Sequence, residues 1–324
     1  MPVPSEIILT LKMLKGIGNK TILKIVQQVK NDINSLDELL CFWATLKGKT
    51  FEKVTEDDLA AAHQSAIRII SNSADHGIGI FSYFDGCYPD ILKQCTDENG
   101  KLDPPILLYY RGNLDALKIP GVAVIGTRDP TENGIKAGLY FSEQIATKGY
   151  NIVSGLAIGC DTTGHRGALQ AGGITTAFLA NGLDWDSIYP KENLELAKQI
   201  VASNGLLLSE YPVGHSCGTY GFVARDRLQA GLSLATIVIQ TGINGGTMHA
   251  VNATIASKKP LFAVEYRNPT DCNHEKVQGN IKLIKDRAAY SLQSINFGSA
   301  LEIISATKHR NPLCQSSEKT LFDL

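Results

Sequence analysis

Apolar positions follow two different patterns along the chain, and the pattern changes near residue 77. Over residues 1–76, apolar residues recur in short stretches at helical spacing, which predicts a small all-α domain. Beyond that point, short apolar runs alternate with longer amphipathic stretches. This alternation predicts an α/β domain with a mostly parallel sheet over residues 77–304. Residues 305–324 contain Asn311-Pro312 and Ser316-Ser317 and are expected to form a loosely ordered tail.

The apolar runs predict the strands of this sheet, and the amphipathic stretches predict its helices. Strands are expected at 80–83, 106–110, 122–126, 150–154, 175–179, 206–209, 236–240 and 261–264. Helices are expected near 134–148, beyond residue 161, and near 192–203, 224–231 and 247–257. The alternation implies parallel pairing, and the two strand–turn–helix units in tandem indicate a doubly wound sheet.

The strand that ends at Ser154 continues into a turn with two glycines, Gly155 and Gly159, before the next helix. Glycine lets the backbone tighten there, and the N-terminus of the following helix offers N–H groups to an anion. Asp161 is expected to cap this helix. His165, one turn later, is expected to form a hydrogen bond near the helix start and to take no part in catalysis.

A second turn of the same kind follows the strand at 122–126, where Gly126 is followed by Thr127 and Arg128. In doubly wound sheets ligands bind outside the carboxyl ends of the strands, so we expect both turns at one ligand-binding edge. Neither turn has the G-x-G-x-x-G spacing of a dinucleotide site. The two turns therefore predict a phosphate site and do not imply a dinucleotide.

Composition narrows the possible function classes. The chain has 324 residues, 44% of them hydrophobic and 19% charged, which is typical of a globular protein. Its formal net charge is −1, so contact with nucleic acid must come from a local patch. Seven cysteines form no C-x-x-C pair, which argues for a reducing compartment and against structural zinc. No apolar run approaches a membrane span and no signal-peptide pattern is present, so we expect a cytoplasmic protein without a membrane partner.

The first two predicted helices flank the stretch Lys15-Gly16-Ile17-Gly18-Asn19-Lys20, in the arrangement of a helix-hairpin-helix motif. Backbone N–H groups of such a hairpin can hold one phosphate without reading sequence, with Lys15 and Lys20 beside it. A packing turn in a small helical domain accounts for the same residues equally well. The sequence leaves both interpretations open.

The order of several motifs resembles that of the DNA-processing protein A (DprA/Smf) family over roughly residues 79–295. The motifs are Gly126-Thr-Arg128, Ser154-Gly-Leu-Ala-Ile-Gly-Cys-Asp161, His165, Asn181-Gly-Leu-Asp184, Tyr189-Pro190, Ser209-Glu-Tyr-Pro212 and Arg225-Asp-Arg227. The N-terminal helical region is similar to the family's accessory domain. The resemblance implies an extended Rossmann-like fold, binding of single-stranded DNA and a homodimer. It also implies delivery of that DNA to a RecA-like recombinase during DNA uptake.

Two motifs depart from the family pattern. Where the family has an Arg-Asn-Arg triplet, this chain has Arg225-Asp226-Arg227. A carboxylate between two cations weakens an anion site unless it points away. The family's serine–glycine turn near the last strand is replaced by Asn244-Gly245-Gly246-Thr247.

The two arginines of the triplet are the strongest candidates for phosphate binding, because guanidinium groups match phosphate oxygens with two parallel hydrogen bonds. The alternative is a surface salt bridge with Asp226 or a neighbouring acid. Lys191 is a weaker candidate, more typical of a solvated loop charge, and Tyr220 and Phe222 are the best candidates for base stacking. The full set predicted to bind DNA or phosphate is Gly126, Thr127, Arg128, Ser154, Gly155, Gly159, Lys191, Arg225, Arg227, Gly245, Gly246 and Thr247.

Three function classes fit these features: a single-stranded DNA binder that mediates recombination without chemistry of its own, a nucleotide hydrolase, and a nucleotide sensor, for example in phage defence. Related nucleoside-monophosphate phosphoribohydrolases carry a Gly-Gly-x-Gly-Thr turn and, shortly after it, a catalytic glutamate. Here Gly245-Gly246-Thr247 leads into Met248-His249-Ala250, with no glutamate before Glu265. The helix-hairpin-helix pattern favours DNA over a free nucleotide. We therefore expect a DNA-binding recombination mediator with no catalytic residue, cofactor or metal.

Overall fold

The structure is a computed structural model that describes residues 3–216 and 218–310. Its N-terminal part consists of four helices, α1 (Ser5–Met13), α2 (Asn19–Val26), α3 (Leu36–Trp43) and α4 (Glu56–Asp75). Ser35 caps α3 by accepting a hydrogen bond from the Glu38 backbone, and Thr55 forms a capping box with Asp58 at the start of α4. The hairpin between α1 and α2 turns at Gly16, whose φ of 83° favours glycine. The all-α prediction for this region is confirmed.

Nine strands form one sheet in the remainder of the described chain. The strands are β1 (Gly79–Ser82), β2 (Leu107–Gly112), β3 (Gly121–Ile125), β4 (Asn151–Ser154), β5 (Thr175–Leu179), β6 (Leu206–Ser209), β7 (Ser233–Val238), β8 (Leu261–Val264) and β9 (Tyr290–Leu292). Their order across the sheet is β1-β2-β6-β5-β4-β3-β7-β8-β9. From β6 to β9 in this order all neighbours are parallel, whereas β1 and β2 pair antiparallel at one edge. The prediction of a mostly parallel, Rossmann-like sheet is confirmed.

Nine further α-helices lie between or after the strands in the described part of the chain. They are α5 (Asp90–Lys93), α6 (Glu132–Thr147), α7 (Cys160–Gln170), α8 (Leu194–Ala202), α9 (Thr219–Leu232), α10 (Thr247–Ala256), α11 (Pro269–Cys272), α12 (Gln278–Lys285) and α13 (Phe297–Arg310). Two expectations need correction. The sequence patterns did not predict β9 or the helices α5, α11, α12 and α13. Helix α13 continues to Arg310, so the tail expected from residue 305 is helical at its start. The rest of that predicted tail, residues 311–324, lies outside the described residues.

The N-terminal helices and the sheet share one hydrophobic core. Ile7, Ile8 and Leu39 from the helices are buried in the same cluster as Leu107 and Leu179 from the sheet. Helix α1 packs on β1 and β2. Full burial of one such side chain contributes about 1.5–3 kcal/mol, so this shared cluster holds the helices against the antiparallel edge of the sheet.

Strand β3 lies inside the sheet, between β4 and β7. The chain proceeds from β3 through β4 and β5 to β6 on one side, and then returns to β7 on the other side. Open α/β sheets form a ligand crevice where the strand order reverses in this way, because the two connections leave in opposite directions. The topology therefore places a candidate site at the carboxyl ends of β3 and β7.

Candidate functional site

A cleft of about 980 Å³ opens at this position. It is lined by the turn after β3, one face of α9, the loop that leads into α10, and residues 275–278. The predicted site residues among its lining are Gly126, Thr127, Arg128, Phe222, Arg225, Gly245, Gly246 and Thr247. The predicted residues outside its lining are Ser154, Gly155, Gly159, Lys191 and Arg227. The structure thus brings together the turns after β3 and β7, with α9 between them.

The turn after β3 is fixed by its neighbours on both sides. The Thr127 N–H donates to the Gln240 carbonyl at 2.7 Å, and the Cys160 N–H donates to the Thr127 carbonyl at 3.0 Å. Gly126 has no space for a side chain, because a Cβ there would lie 2.5 Å from the Cys160 sulfur. The turn is therefore a rigid wall of the cleft that leads directly to Arg128.

The turn after β4 shapes the site and contributes Ala157 to the cleft lining, together with Asp161 of α7. The Ser154 hydroxyl is buried and donates to the Val124 carbonyl at 2.6 Å, so it is used to align β3 with β4. Gly159 has a φ of 82°, and a Cβ there would lie 2.5 Å from the Thr127 carbonyl oxygen. At Gly155 a Cβ would lie only 1.2 Å from Nη1 of Arg225. Glycine is therefore required at position 155, because any side chain there would occupy the space of the Arg225 guanidinium group.

Asp161 does not cap α7 as predicted. It lies inside the helix, Gly159 occupies the N-cap position, and the Asp161 carboxylate accepts hydrogen bonds from the backbone N–H groups of Gly155 and Ala157 at 3.1 and 3.3 Å. Burial raises the pKa of this carboxyl, against the opposing effect of Arg225. Because the two N–H groups are already occupied by Asp161, they are not open to a phosphate. Phosphate binding at this turn stays a prediction, and it would need groups other than these two.

His165 is a core residue and does not support the helix start. Its Nδ1 lies 2.7 Å from the Thr175 hydroxyl, and its side chain is fully buried. Burial, assisted by the positive charge of Arg225, lowers the pKa of His165 to about 3, so the imidazole is neutral at physiological pH.

Arg225 projects from α9 to the bottom of the cleft and is 5% exposed. Its Nη1 lies 3.8 Å from Oδ2 of Asp161, and its Nε lies 3.5 Å from Oδ1 of Asp226. At both distances the charges attract each other, but the atoms are too far apart for good hydrogen bonds. Neither Nε nor Nη1 of Arg225 has a hydrogen-bond partner among the described residues. The alternative, a salt bridge with Asp226 or a neighbouring acid, is met by these two ion pairs, but the guanidinium group is buried and does not lie at the surface. Whether Arg225 binds phosphate remains a prediction.

Asp226 points into the cleft and not away from it. Its carboxylate accepts a hydrogen bond from Nε2 of Gln229 at 3.1 Å, and the side chain is 17% exposed. Burial raises the pKa of Asp226 to about 6; Asp161 acts in the same direction, whereas Arg225 and His249 oppose the rise. A carboxylate thus occupies part of the predicted anion site.

Arg227 faces the opposite side of α9, contrary to the prediction that it binds DNA. Its guanidinium group pairs with both oxygens of Glu210 at 2.9 and 3.1 Å and with Oδ2 of Asp103 at 2.6 Å. Burial acts to lower the pKa of Arg227, but Glu210 and Asp103 raise it overall. Because consecutive residues are about 100° apart around a helix, Arg227 points about 200° away from Arg225, and it lies outside the cleft lining.

The rim of the cleft carries positive groups. Arg128 is exposed there, and Lys276 lines the rim beside its ion-pair partner Glu275, at 2.7 Å. Helix α10 begins at the cleft with Gly246 as its N-cap, without a side-chain cap and without an acidic residue in its first turn. The positive end of its dipole therefore faces the cleft uncompensated by its own residues. Sequence patterns did not indicate Lys276.

An aromatic surface extends from the same rim. The Arg128 guanidinium lies 5.0 Å from the centre of the Phe222 ring, and the ring of Tyr189 lies 5.8 Å from that of Phe222. Tyr189 is 48% exposed. The sequence pattern marks Tyr189 only as part of the Tyr189-Pro190 motif and does not indicate its stacking position. The side chain of Tyr220, the other predicted stacking residue, lies outside the described residues.

Two groups of predicted residues lie apart from the cleft lining. The Lys191 ammonium donates to the Asp186 carbonyl in its own loop. The hairpin residues Lys15, Gly16, Gly18 and Lys20 are exposed. The pKa of Lys20 is lowered by partial desolvation and by the neighbouring Lys101. Their role in phosphate binding stays a prediction.

Two other features are absent from the described part of the chain. Within residues 3–216 and 218–310, no cluster of three or more His, Cys, Asp or Glu side chains is arranged to hold a metal ion. No helix in the described part of the chain has the length and apolar character needed to cross a membrane.

Known proteins resemble this chain over most of its length. Residues 79–301 match a family model described as DNA recombination-mediator protein A. The DNA processing protein DprA of Bacillus subtilis is 30% identical over 282 residues, which cover 82% of this chain and 91% of the relative. Protein Smf of a Synechocystis species is 38% identical over 208 residues, 63% of this chain, but the match spans only 49% of that longer relative.

Solved structures extend the match to the fold. The X-ray structure of DNA processing protein A from Streptococcus pneumoniae superposes with a TM-score of 0.71 at 28% identity, covering 91% of this chain and 96% of that one. DNA processing protein A from Helicobacter pylori, which has a described single-stranded DNA binding mode, superposes with a TM-score of 0.58 at 30% identity. That match covers 69% of this chain and 95% of the other.

Proposed function

Because the chain belongs to the DNA recombination-mediator protein A family, we propose that it binds single-stranded DNA in the cleft at the carboxyl ends of β3 and β7. The observation that carries this proposal is the combination of a cationic rim with an aromatic surface on one edge of the cleft. Arg128 lies at the junction of the two, beside Phe222. This combination of features suits a strand whose phosphates and bases are both accessible.

The rim supplies the phosphate contacts. Arg128 is exposed and can turn its guanidinium fork toward a phosphate, whereas the start of α10 adds backbone N–H groups and the positive end of a dipole. Lys276 adds a further charge close by. These contacts are independent of base identity, so they give affinity without a sequence requirement.

The aromatic surface supplies the base contacts. Tyr189 and Phe222 present ring faces or edges beside Arg128, and an unpaired base can stack on such groups, whereas the bases of a duplex are stacked on one another. Stacking contributes about 1–3 kcal/mol per base. The proposed preference is therefore for single strands over duplex DNA.

The wider role follows from the family and remains part of the proposal. We propose that the protein acts in the cytoplasm as a homodimer and hands its DNA to a RecA-like recombinase. We propose no chemical reaction, because the chain has Met248-His249-Ala250 where a phosphoribohydrolase has its glutamate. His249 is engaged with Glu98, at 2.7 Å from Nδ1.

The test is a titration of fluorescein-labelled oligo-dT and of a duplex of equal length, followed by anisotropy. The single strand is expected to bind more tightly, with a log–log salt slope of about −0.7 per phosphate contacted. Arg128→Ala is expected to weaken binding about tenfold, since a hydrogen bond to a charged group is worth about 1.5–3 kcal/mol.

Arg166→Ala is the matched control, because Arg166 is exposed on α7 and does not line the cleft. It removes the same charge and is expected to change binding less than twofold. Equal losses in both variants would mean that only net charge matters, and the cleft would then not be the site. Release of free base from a nucleoside monophosphate by the wild-type protein would favour the hydrolase instead.

A further inference from the structure

The bottom of the cleft has a different chemistry from its rim. It consists of Arg225, Asp226 and Gln229, which we call the cleft floor. Gln229 is 2% exposed, and its Oε1 has no hydrogen-bond partner among the described residues; the same holds for Nε and Nη1 of Arg225. Buried polar atoms in folded proteins are nearly always paired. The floor therefore has hydrogen-bonding capacity that the protein itself leaves unused.

The charge of the floor argues against a phosphate there. Arg225 is flanked by two carboxylates, Asp161 at 3.8 Å and Asp226 at 3.5 Å, so the three side chains sum to one negative charge when both acids are ionised. A phosphodiester brought to this point would meet a net repulsion in a poorly solvated place. Phosphates are instead favoured at the rim, beside Arg128 and the start of α10.

With the phosphates at the rim, a base is the part of the nucleotide that reaches the floor. Phe222 is on the same face of α9 as Arg225 and Asp226, so a base that enters beside this ring meets the floor with its hydrogen-bonding edge. A flipped-out or single-stranded base is read in this way, through its Watson–Crick edge and an adjacent ring.

The floor groups distinguish among the bases. Oδ1 of Asp226 accepts from Gln229, and its Oδ2 has no hydrogen-bond partner in the described part of the chain. A carboxylate favours an edge rich in donors. Guanine presents two neighbouring donors, N1–H and the N2 amino group, next to the O6 acceptor, whereas thymine presents one donor between two carbonyl oxygens.

We propose that the cleft floor reads one guanine of the bound strand, with the Asp226 carboxylate accepting from N1–H and N2–H and the Arg225 guanidinium donating to O6. This inference rests on the proposed function, because it needs a strand held at the rim. It adds a preference at one nucleotide position to an otherwise sequence-independent contact, and it makes Asp226 the specificity-determining residue.

The test compares oligo-dT with oligo-dT that carries one central substituted nucleotide, by competition against labelled oligo-dT with the full chain. A single deoxyguanosine is expected to improve binding about tenfold, as for one good bidentate base contact. The 7-deaza analogue keeps the Watson–Crick edge and should match guanine. Deoxyinosine, which lacks the N2 amino group, should lose most of the gain, and O6-methylguanine, which lacks N1–H, should lose all of it.

The variant Asp226→Asn should abolish the guanine preference while it still binds oligo-dT. Asp129→Asn removes a carboxylate from the turn next to Arg128 outside the cleft lining, so its ratio of guanine to thymine binding should equal that of the wild type. Equal binding of all substituted strands to the wild type, or an unchanged preference in Asp226→Asn, would overturn the guanine assignment and leave the proposed function standing. Failure to bind any single strand would overturn both.

Discussion

Replacement of Asp226 by Asn should stabilise the protein at neutral and alkaline pH. The substitution keeps the shape of the side chain and an oxygen that can accept from Gln229, and it removes a charge that is largely buried. Although Arg225 is close, its attraction does not offset the loss of hydration, because the pKa of Asp226 is raised to about 6. The ionised carboxylate is therefore a net cost to the folded state.

The size of this cost follows from the raised pKa. The ordinary value is 3.8, and the free energy changes by about 1.4 kcal/mol per pKa unit, which gives roughly 3 kcal/mol. Below about pH 4 the carboxyl is neutral in both folded and unfolded chains, and the cost is small. Between pH 4 and 6 only the unfolded chain ionises, so stability falls as the pH rises. Above pH 6 both forms are ionised and the full cost applies.

Urea unfolding at pH 8 and at pH 4, followed by far-ultraviolet circular dichroism, measures this difference. Asp226→Asn is expected to be about 3 kcal/mol more stable than the wild type at pH 8 and within about 1 kcal/mol of it at pH 4. Asp129→Asn, an exposed carboxylate in the neighbouring turn, should stay within about 0.5 kcal/mol at both pH values. The same stability gain at pH 8 and pH 4 would refute the electrostatic explanation.

Three further predictions concern residues around the cleft. Gly155→Ala should cost about 1–3 kcal/mol of stability and weaken DNA binding, because the new Cβ would lie 1.2 Å from Nη1 of Arg225 and displace it. Gly164→Ala is the control: its Cβ would lie 3.4 Å from the nearest atom, so the variant should lose less than about 1 kcal/mol in the same urea assay. Arg227→Ala should destabilise by about 3–5 kcal/mol, since it leaves Glu210 buried without its partner, and an unchanged unfolding midpoint would contradict this. Tyr189→Ala should leave stability within about 0.5 kcal/mol but weaken oligo-dT binding at least fivefold by anisotropy, and equal binding would remove the stacking role.

The sequence predicted best those strands whose residues are all buried, because burial leaves an apolar pattern in the local sequence. Strands β5, β6 and β8 have the predicted bounds; each is buried along its whole length and contains a run of at least three apolar residues. Strand β9 is three residues long, begins with the exposed Tyr290 and exists through its pairing with β8. No local pattern marks such a strand, since its stabilisation comes from a partner distant in sequence.

The sequence predicted where the candidate site lies in the fold, but it did not predict which groups its side chains contact. The glycines of both turns were found because tight turns at strand ends need them. The opposite orientations of Arg225 and Arg227 were missed, although the helix predicted over 224–231 already implied that residues two apart face different ways. The pairing of Arg227 with Glu210 joins α9 to the segment after β6, and only the folded chain brings these together.

Gly155 illustrates how the function of one residue depends on another element. Sequence patterns assign it to a tight turn whose N–H groups bind an anion, but Asp161 accepts from its N–H, and its missing side chain leaves space for Arg225 from α9. At this turn the Asp161 carboxylate and the Arg225 guanidinium group thus balance each other inside the protein. A bound phosphate must then use groups that the protein leaves uncompensated, and Arg128 and the start of α10 at the rim are such groups. The same balance leaves the Asp226 carboxylate facing the cleft, which is why base recognition is assigned to the floor and phosphate binding to the rim.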